Sequence, residues 1–227
     1  MSTARKAGIL YFLFMVIAIY GQFLTPRLVV PGDAAATAAN IHAHELTYRI
    51  GILTGLATDV IFLFLVVVLY RLLADVDKGL AMLMVVLVSV GVAVALANLL
   101  NRFAPLQLQS GEAYLAAFTQ PQLDALALGS HRFRSAAAIV PTAFWGLWLL
   151  PFGLLVMRSE FLPRILGILL LVAGAAYIVT TVTGIVAPAW RSAMAPWMMP
   201  LYLCEMPIIF WLLIKGAKVT TAPAIAS

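Results

Sequence analysis

Six apolar stretches, each close to twenty residues long, govern what this chain can become: residues 7–24, 47–70, 79–101, 136–157, 164–187 and 197–215. A hydrocarbon layer about 30 Å thick is crossed by about 20 helical residues at 1.5 Å each. The stretches are unbroken runs of Leu, Ile, Val and Ala without the two-residue alternation of a lipid-spanning barrel, so they read as helices. Charged residues make up only 10% of the chain, where soluble domains carry about a quarter. A single cysteine excludes a disulfide scaffold. The expected fold is all-α, a polytopic membrane protein built as a bundle of six transmembrane helices. One domain is expected over residues 1–219, followed by a disordered tail at 220–227.

The first span follows Arg5 and Lys6, as a secretory signal would, but its apolar run ends at Tyr20-Gly21-Gln22-Phe23 without a small-x-small cleavage pattern. It is expected to be retained. Beside the span ends, one side carries Arg5, Lys6, Arg71, Lys78, Arg158, Arg164, Lys215 and Lys218. The other carries Arg27, Arg49, Arg102, Arg132, Arg134 and Arg191. The basic bias and the shortness of the first set's connections predict both termini in the cytoplasm. The net charge of +5 is then largely an orientation signal directed at anionic headgroups. Basic residues do not interleave with aromatics as on a nucleic-acid surface, and no nucleic-acid partner is expected.

The turns at 75–79 and 158–163 are tight, whereas the connections on the other side are long and polar. Asp33, after Pro31-Gly32, is a candidate N-cap for a helix starting at Ala34 and running directly into the second span. Within the loop 102–135, Gln120-Pro121-Gln122 reads as a helix start with proline in its first turn. Tyr114, Leu115, Phe118, Leu123 and Leu126 suit an interfacial helix covering the bundle.

Chemistry in such a chain concentrates where polar groups enter the spans. Asp59 and Glu205 are the two acids deep within them. An ionised carboxylate at the centre of a bilayer costs at least about 2.5–3.5 kcal/mol, so each must face the interior, be protonated or find a cation. His44, Tyr48, Gly55 and Asp59 fall within about 60° of arc on one helix. Gly55 leaves room either for a ligand or for close helix packing, and Glu45 and Arg49 are spaced to pair at i,i+4. Asn98 and Asn101 share a face beside Arg102, Tyr177 lies mid-span, and Pro200 and Pro207 bracket Glu205 in a helix that can bend there. His131 stands in the second long loop.

Catalytic signatures are missing: there is no nucleophile triad, phosphate loop or nucleotide fingerprint. His42 and His44 are two residues apart and cannot both face one ion from a helix. Lone Cys204 reads as a packing residue. A metal site using His44, His131 and the acids is the minority reading, and no cofactor is indicated.

The chain resembles the bacterial integral-membrane proteins grouped as domain-of-unknown-function family 4386. The similar segments include Pro31-Gly32-Asp33, Asn40-Ile41, Glu45, Arg49-Ile50-Gly51-Ile52, Leu69-Tyr70-Arg71-Leu72-Leu73 and Asn98-Leu99-Leu100-Asn101. His131, Arg158-Ser159, Leu162 through Gly167, and Glu205 through Trp211 to Gly216 continue the likeness over nearly the whole chain. Arg132-Phe133-Arg134 departs from the small or apolar residues expected after His131. The resemblance implies a compact helical bundle in a bacterial inner membrane, implies no activity, and places Arg49, Asp59, Asn98, Asn101, His131 and Glu205 in the family's polar pattern. The functional expectation is a small-ligand binding or transport protein with an outward-facing polar cavity, ahead of an intramembrane metal-dependent enzyme. Its expected ligand-binding residues are Asp59, Glu205, Arg49, Tyr48, His44, Asn98, Asn101, His131 and Tyr177. The alternative is a structural or accessory subunit of a membrane complex or homo-oligomer, whose acids and arginines only hold helices together.

Overall fold

The computed structural model describes residues 2–24 and 28–217. Arg27, Lys218 and the expected tail at 220–227 lie outside them. The described chain is mostly helical, with no strand: α1 (Thr3–Leu24), α2 (Ala34–Ala43), α3 (Glu45–Leu73), α4 (Lys78–Leu99), α5 (Ala104–Leu108) and α6 (Gln120–Ala137) come first. They are followed by α7 (Ile139–Leu147), α8 (Leu149–Arg158), α9 (Arg164–Val186), α10 (Arg191–Tyr202) and α11 (Met206–Ile214). Six helical segments are long and apolar enough to cross a membrane. Apolar side chains such as Ile9, Leu13, Val16, Phe64 and Val86 are turned outward, which suits a lipid solvent and would be costly in water.

One expectation about an element boundary is corrected. The helix from Ala34 does not run into the second span, because His44 leaves helical geometry (φ −123°, ψ 38°) and ends α2 with its N–H on the Asn40 carbonyl. The helical segment that carries the fourth span begins ahead of it. Thr119 and Gln122 form a reciprocal capping box with Pro121 in the first turn, and the helical segment continues from Gln120 to Arg158 with interruptions after Ala137 and Leu147. Of the residues expected on an interfacial helix, Leu123, buried, and Leu126, exposed, lie on α6, whereas Tyr114 and Leu115 lie in a 3-10 turn (Ala113–Ala117) and Phe118 is extended.

Backbone contacts divide the chain into two compact units. The first comprises residues 1–12, 63–89 and 142–227; the second comprises 13–62 and 90–141. In the first, α7 and α8 pack on α9 through glycines. A Cβ on Gly146 would lie 2.8 Å from the Gly174 carbonyl oxygen, and one on Gly174 would lie 2.9 Å from that of Gly146. Gly153 meets the Gly167 carbonyl in the same way, at 2.8 Å. The two pairs are seven residues apart on each helix, so the antiparallel hairpin closes backbone to backbone along two turns. Small residues allow this approach, and dispersion then replaces the hydrophobic drive that lipid cannot supply. Trp148 is fully buried against Phe152, ring centroids 5.3 Å apart and nearly parallel. The tight turns meet at one end: Asp77 caps α4 by accepting from the Leu80 N–H at 3.0 Å and accepts Arg158 Nη1 at 2.6 Å.

In the second unit, α6 packs on α2 and α5, making a small helical layer from what the sequence presents as loops. Leu28, Ile41, Tyr48 and Ile52 form its apolar cluster, joined by Leu99 and Leu106. Gly55 serves packing, since the Leu99 Cδ1 atom sits 3.1 Å from where its Cβ would be.

Two outcomes are expected from thermal denaturation in detergent. Gly153→Leu forces a side chain into the α9 backbone and costs about 1–3 kcal/mol, whereas Gly129→Ala, with open space at its Cβ, is neutral or stabilising. Asp77→Ala removes the cap and costs about 1 kcal/mol; Asp77→Asn keeps a capping oxygen and loses only the exposed ion pair, a smaller effect.

Candidate functional site

The expected site residues separate into three polar groups. The first surrounds Glu205, in the first unit. Pro196 and Pro200 interrupt α10, and the chain passes through a 3-10 turn, Leu203–Glu205, before α11 resumes with Pro207 in its first turn. Each proline removes a backbone donor, and the break presents Glu205 at the junction of two half-helices. Tyr11 of α1, fully buried, donates its hydroxyl to the Glu205 carboxylate. Tyr177 of α9 stacks on Tyr202 with centroids 4.4 Å apart, and the Tyr202 and Thr180 hydroxyls share a hydrogen bond of 2.5 Å. Thr181 bonds back to its own helix at the Tyr177 carbonyl, the usual fate of a helical threonine. Cys204 is half-buried, its sulfur 3.8 Å from the Pro200 carbonyl.

The second group lies where α3 begins and α4 finishes, in the second unit. Asn98 donates to the Arg134 carbonyl of α6 at 3.0 Å, and Asn101 bonds back to Asn98. Arg102 donates Nη1 to the Gly51 carbonyl of α3 at 2.8 Å. Tyr48 is buried one turn before Gly51, and half-buried His131 shares a helix face with Arg134. Thus Tyr48, Asn98, Asn101 and His131 are brought together around Arg102 and Arg134, neither of which the sequence marks as a ligand.

The third group is a cavity of about 470 Å³ in the same unit. Its polar lining includes His42, the Glu45–Arg49 ion pair at 2.6 Å, Gln107 and Gln109. Among the described residues, the Gln109 amide nitrogen is buried without a hydrogen-bond partner. Of the expected ligand-binding residues, only Arg49 lines this cavity. Gln107 lies in α5 and Gln109 and Ser110 just after it, where apolar periodicity gives no signal.

Asp59, half-buried in α3, belongs to the second unit, while Glu205 and Tyr177 belong to the first. The stripe of His44, Tyr48, Gly55 and Asp59 is broken at its head: His44 is an exposed cap, while Tyr48 points into the apolar cluster. No group of three or more His, Cys, Asp or Glu is placed to hold a metal ion among the described residues.

Residues 6–216 match the family described as Domain of unknown function (DUF4386). The chain belongs to this family. No curated protein and no solved structure matches it. The DUF4386 match begins at Lys6 and ends at Gly216, so all three polar groups are parts of the family domain.

The Tyr11–Glu205 bond is open to a double-mutant cycle. Tyr11→Phe, Glu205→Gln and the pair together are expected to show a coupling of about 1–3 kcal/mol in thermal or denaturant unfolding. Additive effects would mean that the hydrogen bond contributes nothing.

Proposed function

We propose that this protein binds, and in doing so holds or passes across the membrane, a small polar molecule taken up in the cavity of the second unit. The observation that carries this reading is the cavity itself. Its 470 Å³ falls within the range of small-molecule sites, and its lining mixes both charge signs and two amides with apolar Ile41, Phe103 and Leu106. Because Arg49 is already answered by Glu45, the lining suits a zwitterion or a neutral hydrogen-bonding molecule better than a lone ion. The buried Gln109 donor supports the same reading, since an unmet amide costs about 1–3 kcal/mol that a ligand acceptor would relieve. Asp59 stands ten residues further along α3 from Arg49, about 15 Å deeper, and gives a translocated ligand a second polar stop.

The reading includes a bacterial inner membrane with both termini inside. The Lys and Arg distribution supports it: Arg5, Lys6, Arg71, Lys78, Arg158, Arg164 and Lys215 fall at the span ends joined by the short connections. The cavity then opens outward.

A thermal-shift screen of amino acids, betaines and small sugars in detergent tests the assignment. At least one class is expected to raise the midpoint of the native chain and to lose that effect in Ser110→Trp, which fills the exposed rim of the cavity. Shifts that persist in Ser110→Trp place the ligand elsewhere, and a silent screen removes the reading.

A further inference from the structure

Arg102 and Arg134 reach one junction from two directions. Arg102 ends the 3-10 turn after α4 and sends Nη1 to the Gly51 carbonyl of α3, 2.8 Å away. One helical turn earlier, Asn98 holds the Arg134 carbonyl of α6 at 3.0 Å, which pins this part of α6 against the end of α4. His131 precedes Arg134 by three residues and shares its helix face. Tyr48 precedes Gly51 by three residues on α3 and is buried. The charged groups acting on the His131 ring are Arg134 and Arg102, both cations, and Arg134 in turn lies within electrostatic reach of the Tyr48 phenol. Among the described residues neither Arg134 nor His131 forms an ion pair, and both are half-buried.

Gathering guanidinium groups where water is partly excluded costs energy, because like charges repel and screening is weak. An anion reverses the sign of that interaction. The planar fork of arginine matches the oxygens of a phosphate group, which it can hold with two parallel hydrogen bonds. Arg49 shows the contrast with Arg134 within the same unit, since its charge is met by Glu45 one turn away.

We propose that the junction of α3, α4 and α6 is an oxyanion site that takes a phosphate group, with Arg102 and Arg134 as its principal ligands and His131 and the Tyr48 hydroxyl beside them. The site is separate from the cavity, which these four residues do not line. Phosphate oxygens reach such a site either on the headgroup of an anionic lipid or on a soluble phosphate, and the recognition chemistry is the same.

Two parallel measurements test the proposal. Protein in non-ionic detergent is heated with sodium phosphate or with sodium chloride at matched ionic strength, and protein in nanodiscs is heated with phosphatidylcholine alone or mixed with phosphatidylglycerol. A midpoint about 3 °C higher in phosphate than in chloride, lost in Arg134→Gln, identifies a soluble phosphate. A rise of that size confined to the phosphatidylglycerol discs, and lost in the same variant, identifies a lipid headgroup. Arg132→Gln, an exposed neighbour on the same helix, is expected to keep the response. Equal loss in Arg132→Gln marks a general surface-charge effect and overturns the site, as does the absence of any anion response in both media. If Arg134→Gln does not fold, Arg134→Lys replaces it: a reduced response supports the site, and an undiminished one overturns it.

Discussion

Hydrocarbon offers no partner to a peptide N–H or carbonyl, and that constraint organises this protein. Every segment at membrane depth must close its own hydrogen bonds, and helices do so one residue after another. Lipid, being as apolar as leucine, gives helices no hydrophobic reason to associate. What joins them must be contact at short range. The reciprocal glycines of α7, α8 and α9 supply it in one unit, with Trp148 and Phe152 filling the adjoining volume. In the other, the Arg102 link to the Gly51 carbonyl and the Asn98 link to the Arg134 carbonyl tie three helices by polar bonds.

The spans were legible in the sequence because apolar length is a strong signal: each of the six expected stretches coincides with a helical segment, two of them overrunning it by one residue. The short helices were legible where a side chain caps them, as Asp33 does for α2 through the Ala36 N–H. The break at His44 was not. Nothing about a histidine between Ala43 and Glu45 forbids continuing a helix, so its departure from helical geometry is a tertiary outcome. The pairing of Gly146 with Gly174 and Gly153 with Gly167 was hidden for a related reason. Each glycine is unremarkable alone, and only the antiparallel register of two helices makes them partners.

The candidate sites divide along the same line. Asn98, Asn101, Tyr48 and His131 announced themselves as polar groups in or beside apolar runs, and the fold brings them to one junction. Arg134 did not, because it looks like an ordinary loop cation until Asn98 holds its backbone. Likewise, the cavity draws on Gln107, Gln109 and Ser110, polar residues in a polar stretch, where no contrast marks function. Tyr11 is the opposite case: a tyrosine within an apolar span, whose meaning depends on Glu205 almost two hundred residues later.

The glycine hairpin has a mechanical corollary. Two helices in carbonyl-to-glycine contact at seven-residue intervals cannot ratchet past each other by one turn without driving side chains into a neighbouring main chain. Packed interfaces of that kind switch between discrete arrangements or do not move. The same unit locks α11 in the same way, since a Cβ on Gly8 of α1 would collide with the Leu212–Leu213 main chain. The proline-broken segment is anchored to the same frame, with Glu205 held by Tyr11 and Tyr202 stacked on Tyr177.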